Sequence, residues 1–436
     1  MNYLGIAFCI FFAIIGIVYE KKKINALTIF SVLWAIILFL SSIRLYDLNA
    51  TQDSTYGIIA LGIFIFGIGY IFFRIFFSKK VLPQTTYEKD YNLRYKILYI
   101  LSIIAILFYL KDLMLIIGDI LDGKSLDYIR ALAQDSNSIL YTSRSALENF
   151  LRMIFVLPFI MALQPVVAID MVSGKKNKIL LILNIILLVL RSFTDGSRVM
   201  FIYFIIHFLL AFIFSGSSKH KNVIKKNKNK IIVVLVLIIG VVLVYITSVA
   251  RSGENTLKNM YYYYSIEPYM FEQWKDEVDS RNATGLGTAS INGYVYPAIY
   301  MVKNILGMEN YPERWYNDVF LLINATDKEW QVINSQSIQA NAYVSIFWFF
   351  YLDGKTLGVI VGCILYSMLI AYNYSKLNLA MNNKNLCVYL FLLQGVVFSY
   401  VRMQFANETY AIAYIYILLL MYKNSNYRKE KNEINR

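Results

Sequence analysis

The sequence predicts an all-α polytopic membrane protein of about eleven transmembrane helices carrying one large extramembrane loop. Three observations predict it. Of the 436 residues 58% are apolar and only 16% charged, against about 25% charged in a typical soluble domain. Apolar runs long enough to cross a hydrocarbon core of about 30 Å recur from end to end. The basic residues fall in short clusters between those runs, which reads as membrane topology rather than as a nucleic-acid surface, despite a net charge of +14.

The runs occupy residues 3–19, 25–43, 56–77, 97–117, 150–171, 179–193, 200–214, 231–250, 357–372, 386–401 and 405–422. Their periodicity is helical or uniformly apolar, without the alternation of a barrel strand. No internal repeat is visible. The first run has no preceding basic region and is followed by Lys21, Lys22 and Lys23, unlike a cleaved signal peptide. Cys9, Cys363 and Cys387 all lie in apolar runs, so neither a disulfide framework nor zinc-ligand spacing is expected.

Alternating eleven crossings sorts the basic residues. One face receives 25 of the 42, namely 21 Lys and 4 Arg, nearly all in short loops. By the positive-inside rule that face is cytoplasmic, the C-terminus lies inside and the N-terminus outside. The organisation expected is then helices one to eight over 1–250, a large outer loop over 251–355, helices nine to eleven over 356–422 and a cytoplasmic tail over 423–436. The loop holds 12 acidic and 8 basic residues.

Residue choice differs between the faces. The outer set is 10 Arg against 7 Lys. Drift toward AT-rich codons would favour lysine on both faces equally. Guanidinium offers a planar fork of donors that grips phosphate bidentately, whereas ammonium is a more strongly hydrated point charge. Arg191, Arg198, Arg251 and Arg402 all stand where an apolar run meets the outer face. Each alone fits a snorkelling anchor; together they suggest an anionic, phosphate-bearing ligand.

The large loop carries Trp274, Trp315, Trp330 and Trp348, four of the five tryptophans, and the run Tyr261–Tyr264. An interfacial aromatic belt and a small extramembrane core account for most of these. A carbohydrate groove is the sharper reading, with Glu267, Glu272, Asp276 and Asn292 as partners for sugar hydroxyls. The cluster Asp276, Glu277 and Asp279 fits a solvated face better than a metal site, and no metal or cofactor is expected. The only histidines are His207, within an apolar run, and His220, in a lysine-rich loop, so no outer histidine base is available. The absence of a Gly-rich phosphate loop argues against nucleotide hydrolysis.

Phe193-Thr194-Asp195-Gly196-Ser197-Arg198-Val199 opens an apolar run directly after a short one. It resembles the glycine-serine-arginine signature at that place in bacterial oligosaccharide repeat-unit polymerases, the Wzy-type polymerases of O-antigen and capsule. Asn341-Ala342-Tyr343-Val344-Ser345, with Phe350-Tyr351-Leu352-Asp353-Gly354 and Leu357-Gly358, resembles the close of the large outer loop in that family. Ser125 to Arg130 is similar to its amphipathic first large loop. The resemblance covers the topology of nearly the whole chain through short, degenerate motifs.

The resemblance implies a member of the C superfamily of glycosyltransferases in the bacterial cytoplasmic membrane. Such an enzyme moves a growing glycan from undecaprenyl pyrophosphate to a hydroxyl of an incoming lipid-linked repeat unit. It needs neither nucleotide nor metal, and a flippase and a chain-length regulator are the implied protein partners. Arg198 falls in the signature and Arg251 at the start of the large loop, so the resemblance implies that both hold pyrophosphate. Related O-antigen ligases place a catalytic histidine in that loop and this chain has none, which favours polymerase and leaves the base open. Asp353 is a candidate base, with closure of the turn before Gly354 as its simpler role. The alternatives are a flippase or transporter of lipid-linked oligosaccharide and a glycosyltransferase using a polyprenyl monophosphate sugar. Asp47 or Asp53 would be the base in the latter.

Overall fold

A computed structural model of the chain describes residues 1–79, 91–135, 137–197, 199–215 and 256–424. It is predominantly helical, and among the described residues six helices are long and apolar enough to cross a membrane: Asn2–Glu20, Ala26–Ile43, Asp53–Ser78, Tyr95–Leu121, Ala146–Ser173 and Ser345–Leu379. Val199–Phe214 and Glu408–Leu419 are shorter apolar helices. Lys178–Asp195 and Asn383–Val397 occupy two further apolar runs. The run 231–250 lies outside the described residues.

Helix Leu157–Ser173 stands at the centre, with every residue from Pro158 to Met171 buried. A helix apolar on all sides must be enclosed by protein or lipid. Here Val199–Ser215, Asn383–Val397 and Glu408–Leu419 enclose it. Asn383–Val397 is likewise buried from Asn385 to Val396. The peripheral helices differ. Asn2–Glu20 leaves Tyr3, Phe11, Ile14 and Val18 exposed, and Tyr95–Leu121 leaves Ile100, Leu107, Met114 and Leu121 exposed. Contiguous exposed rows of that kind are stable only against a bilayer, where the helix meets every backbone hydrogen bond internally.

The helix ends flanked by lysines gather at one end of the bundle. There Glu20 receives Arg74 Nε at 2.6 Å and Nη2 at 2.8 Å, and Ser375 Oγ accepts from Arg74 Nη1 at 2.6 Å. Tyr91–Leu93 pairs antiparallel with Tyr422–Asn424. Asp170 accepts from the Tyr95 hydroxyl and from the backbone N–H groups of Lys175 and Asn177.

The large loop docks over the opposite end. Thr256–Ser265 packs on Ala26–Ile43, Glu267–Ser280 on Ser345–Leu379, and Asn292–Asn304 on Glu408–Leu419. Trp274 and Trp348 are buried, so they serve the core of this cap rather than a groove. The cap ends at a break inside Ser345–Leu379, where Lys355 takes φ 55° and ψ −143°. The chain folds back so tightly there that a Cβ on Gly358 would stand 2.1 Å from the Phe350 carbonyl oxygen. Gly293 allows a second close approach: a Cβ there would meet the Asn407 carbonyl oxygen at 2.5 Å. That contact seats the start of Asn292–Asn304 on the start of Glu408–Leu419.

Candidate functional site

Below the cap, helix ends bring three arginines around two aspartates. Asp112, on the inward face of Tyr95–Leu121, accepts Arg144 Nη2 at 2.6 Å and lies 3.7 Å from Arg152 Nε. Arg152 Nη2 reaches Asp195 at 2.8 Å, and Arg191 Nε reaches the other Asp195 oxygen at 3.1 Å. Asp195 ends its helix because Gly196 takes a left-handed cap at φ 58°. This is the glycine's local task within the 193–199 motif. Arg152 opens a π-helical stretch, Arg152–Val156, which turns it toward Asp195 and over the Tyr109 ring. The Arg144 and Asp112 side chains are 5% and 4% exposed. Three cations against two anions leave the cluster positive, and Arg191 Nη1 is buried with no hydrogen-bond partner among the described residues.

Arg402 follows Asn383–Val397 in a turn and grips Asp327 with both terminal nitrogens, Nη1 at 3.0 Å. This pair lies in a cavity of about 230 Å³. Asn292, Asn324, Asn407 and Glu408 line it, and Tyr296 and Phe320 close one wall. The same Tyr296 and Phe320 also line a larger cavity of about 540 Å³, together with Tyr141, Arg144, Tyr300 and Tyr311. The two spaces therefore meet at one aromatic wall. Phe320 reaches both because Tyr316–Phe320 is a second π-helical stretch. Its ring stacks 5.3 Å from Tyr296 and lies 5.2 Å from Trp315. Trp315 Nε1 donates to Asn292 Oδ1 at 3.1 Å, which holds that amide at the cavity edge.

Of the residues expected from sequence, Arg191 and Arg402 share one neighbourhood. Both guanidiniums act electrostatically on Tyr203 and Glu408. Arg198 and Arg251 lie outside the described residues. Asp353 stands apart from both cavities: its carboxylate accepts from the N–H groups of Ala289 and Ser290 at 2.8 and 2.9 Å and from the Ser290 hydroxyl. It thereby ties the loop before Asn292–Asn304 to the helix break. Asn292 is the one proposed sugar partner in a cavity. Glu272 is buried and accepts from the Gln52 N–H at 2.6 Å, and Asp276 pairs with Lys275. Glu267 is fully buried beside Ser345, and burial pushes its carboxyl up to about 8. Asp279 is held by Lys355, and Glu277 by Arg281. Asp47 accepts from Gln336 and Asp53 pairs with the N-terminal amine, both at the exposed rim. His207 is buried against Phe391. No cluster among the described residues could hold a metal ion.

Five charged residues that sequence reasoning missed complete the site: Asp112, Arg144, Arg152, Asp327 and Glu408. Glu408 had a legible signal, because an acidic residue opening an apolar helix is costly unless it has a task. Chemically, the arrangement offers flat aromatic faces, amide donors and acceptors, oriented guanidiniums and, among the described residues, a carboxylate outside any ion pair, Glu408. That set suits a ligand with apolar ring faces, many hydroxyls and an anionic group. Compared with known proteins, the chain matches no family model, no curated protein and no solved structure.

Proposed function

We propose that this chain is a polysaccharide polymerase that joins undecaprenyl-pyrophosphate-linked repeat units on the outer face of the bacterial cytoplasmic membrane. It would cross that membrane eleven times, with the cap outside. One observation carries the reading: two cavities under the cap, sharing one aromatic wall, combine that wall and amides with Arg402 and Arg144. The reaction separates charge as pyrophosphate leaves, and preorganised guanidiniums in a low-dielectric site stabilise that charge without a metal. The aromatic wall and the amides would hold sugar rings at the reacting end.

The reading is tested by the lipid-linked glycans of a strain lacking the gene. Polymer is expected to vanish while single repeat units persist on the outer leaflet. Repeat units held on the cytoplasmic leaflet would instead identify a flippase. Loss of the lipid-linked unit altogether would identify an earlier glycosyltransferase.

A further inference from the structure

We propose that Glu408 is the catalytic base of this reaction, taking the proton from the acceptor sugar hydroxyl; this assignment rests on the polymerase reading above. Glu408 lines the smaller cavity together with Arg402, Tyr296 and Phe320. It is half-buried at the first turn of Glu408–Leu419, a helix whose backbone start is capped by the Asn407 side chain. Among the described residues it has no ion pair, unlike Asp327, Asp195 and Asp112. Asp327 is gripped by Arg402, Asp195 by Arg152 and Arg191, Asp112 by Arg144, and Asp353 by Ala289 and Ser290. A carboxylate whose lone pairs are all held by guanidinium or backbone N–H cannot accept a further proton without breaking those bonds. Glu408 accepts from its own backbone N–H and from no guanidinium among the described residues, which leaves lone pairs open to a ligand.

Position supports the role. The Gly293 contact brings the cap helix and the start of Glu408–Leu419 together, so the carboxylate faces the aromatic wall where a sugar ring would stack. Arg402 in the same cavity, with Arg191 within electrostatic reach, stands ready for the leaving group. In the step, the acceptor hydroxyl oxygen bonds to C1 of the donor sugar as its proton passes to the Glu408 carboxylate. The bond from C1 to the phosphate oxygen breaks, and pyrophosphate leaves on its lipid with the electron pair. The proton then returns to solvent.

The test uses the purified full chain with lipid-linked repeat unit as substrate and undecaprenyl pyrophosphate as binding probe. Glu408→Gln keeps size and hydrogen bonding but not basicity. It is expected to slow polymerisation by about 10²–10⁴-fold while binding the probe as wild type does. Glu408→Asp is expected to retain a measurable part of the rate. Near-wild-type polymerisation by Glu408→Gln overturns the assignment. So does parallel loss of probe binding, or equal inactivity of both variants with binding intact. A wild-type protein that binds the probe and makes no polymer overturns the polymerase reading itself, which keeps the two failures distinct.

Discussion

Arg402→Lys is expected to lose polymer nearly as completely as Arg402→Ala. Arg402 presents two terminal nitrogens to Asp327 while lining the smaller cavity. Lysine keeps the charge but cannot hold that two-point geometry and still face a phosphate. Loss of one preorganised donor costs about 10²–10³ in rate, or roughly 3–4 kcal/mol of transition-state stabilisation. A snorkelling anchor predicts the opposite, since lysine snorkels as well as arginine. Polymer length and amount in cells expressing the variant at normal level decide between the two. Wild-type polymer from Arg402→Lys would remove this residue from the pyrophosphate clamp. The same substitution at Arg198, in the glycine-serine-arginine motif, is the parallel test for a residue outside the described region.

Asp112→Asn is expected to lower stability by about 3–5 kcal/mol, because it leaves Arg144 buried beside a partner that no longer carries charge. Arg152 would lose the same neighbour. Lys111 and Glu148 provide the contrast. Their side chains are 43% and 35% exposed, and such a pair is worth under about 1 kcal/mol. Thermal unfolding in detergent should therefore separate Asp112→Asn sharply from Glu148→Gln, although the two substitutions lie on one shared helix-end region. Equal melting of both variants would show that the arginine cluster is not held by its aspartates.

The helical layout was legible because apolar length is a one-dimensional property. The runs at 3–19, 25–43, 56–77 and 97–117 reappear as helices with nearly the same bounds. Asn25, just before the second, caps it through the Thr28 N–H, a signal already present in residue type. Which arginine meets which carboxylate was not legible. Arg152 reaches Asp195 across 43 positions, and its direction depends on a π-helical stretch that spacing arguments assuming 3.6 residues per turn do not anticipate.

The aromatic loop divided in a comparable way. Trp274 and Trp348 went to the core, whereas Tyr296 and Phe320 lie on separate helices 24 positions apart and form one wall only after the cap folds. Asp353 illustrates the limit of motif reading. A conspicuous aspartate before glycine holds two backbone N–H groups, while Glu408, the acidic residue that opens an apolar helix, lines the smaller cavity.

Purified chain in vesicles, supplied with lipid-linked repeat unit and no nucleotide, in the presence of a metal chelator, tests the central claim most directly. The account predicts glycans of increasing length on the carrier, with one undecaprenyl pyrophosphate released for each unit added. Movement of the intact repeat unit across the bilayer without chain growth, or growth that requires a nucleotide sugar or a metal ion, would contradict it.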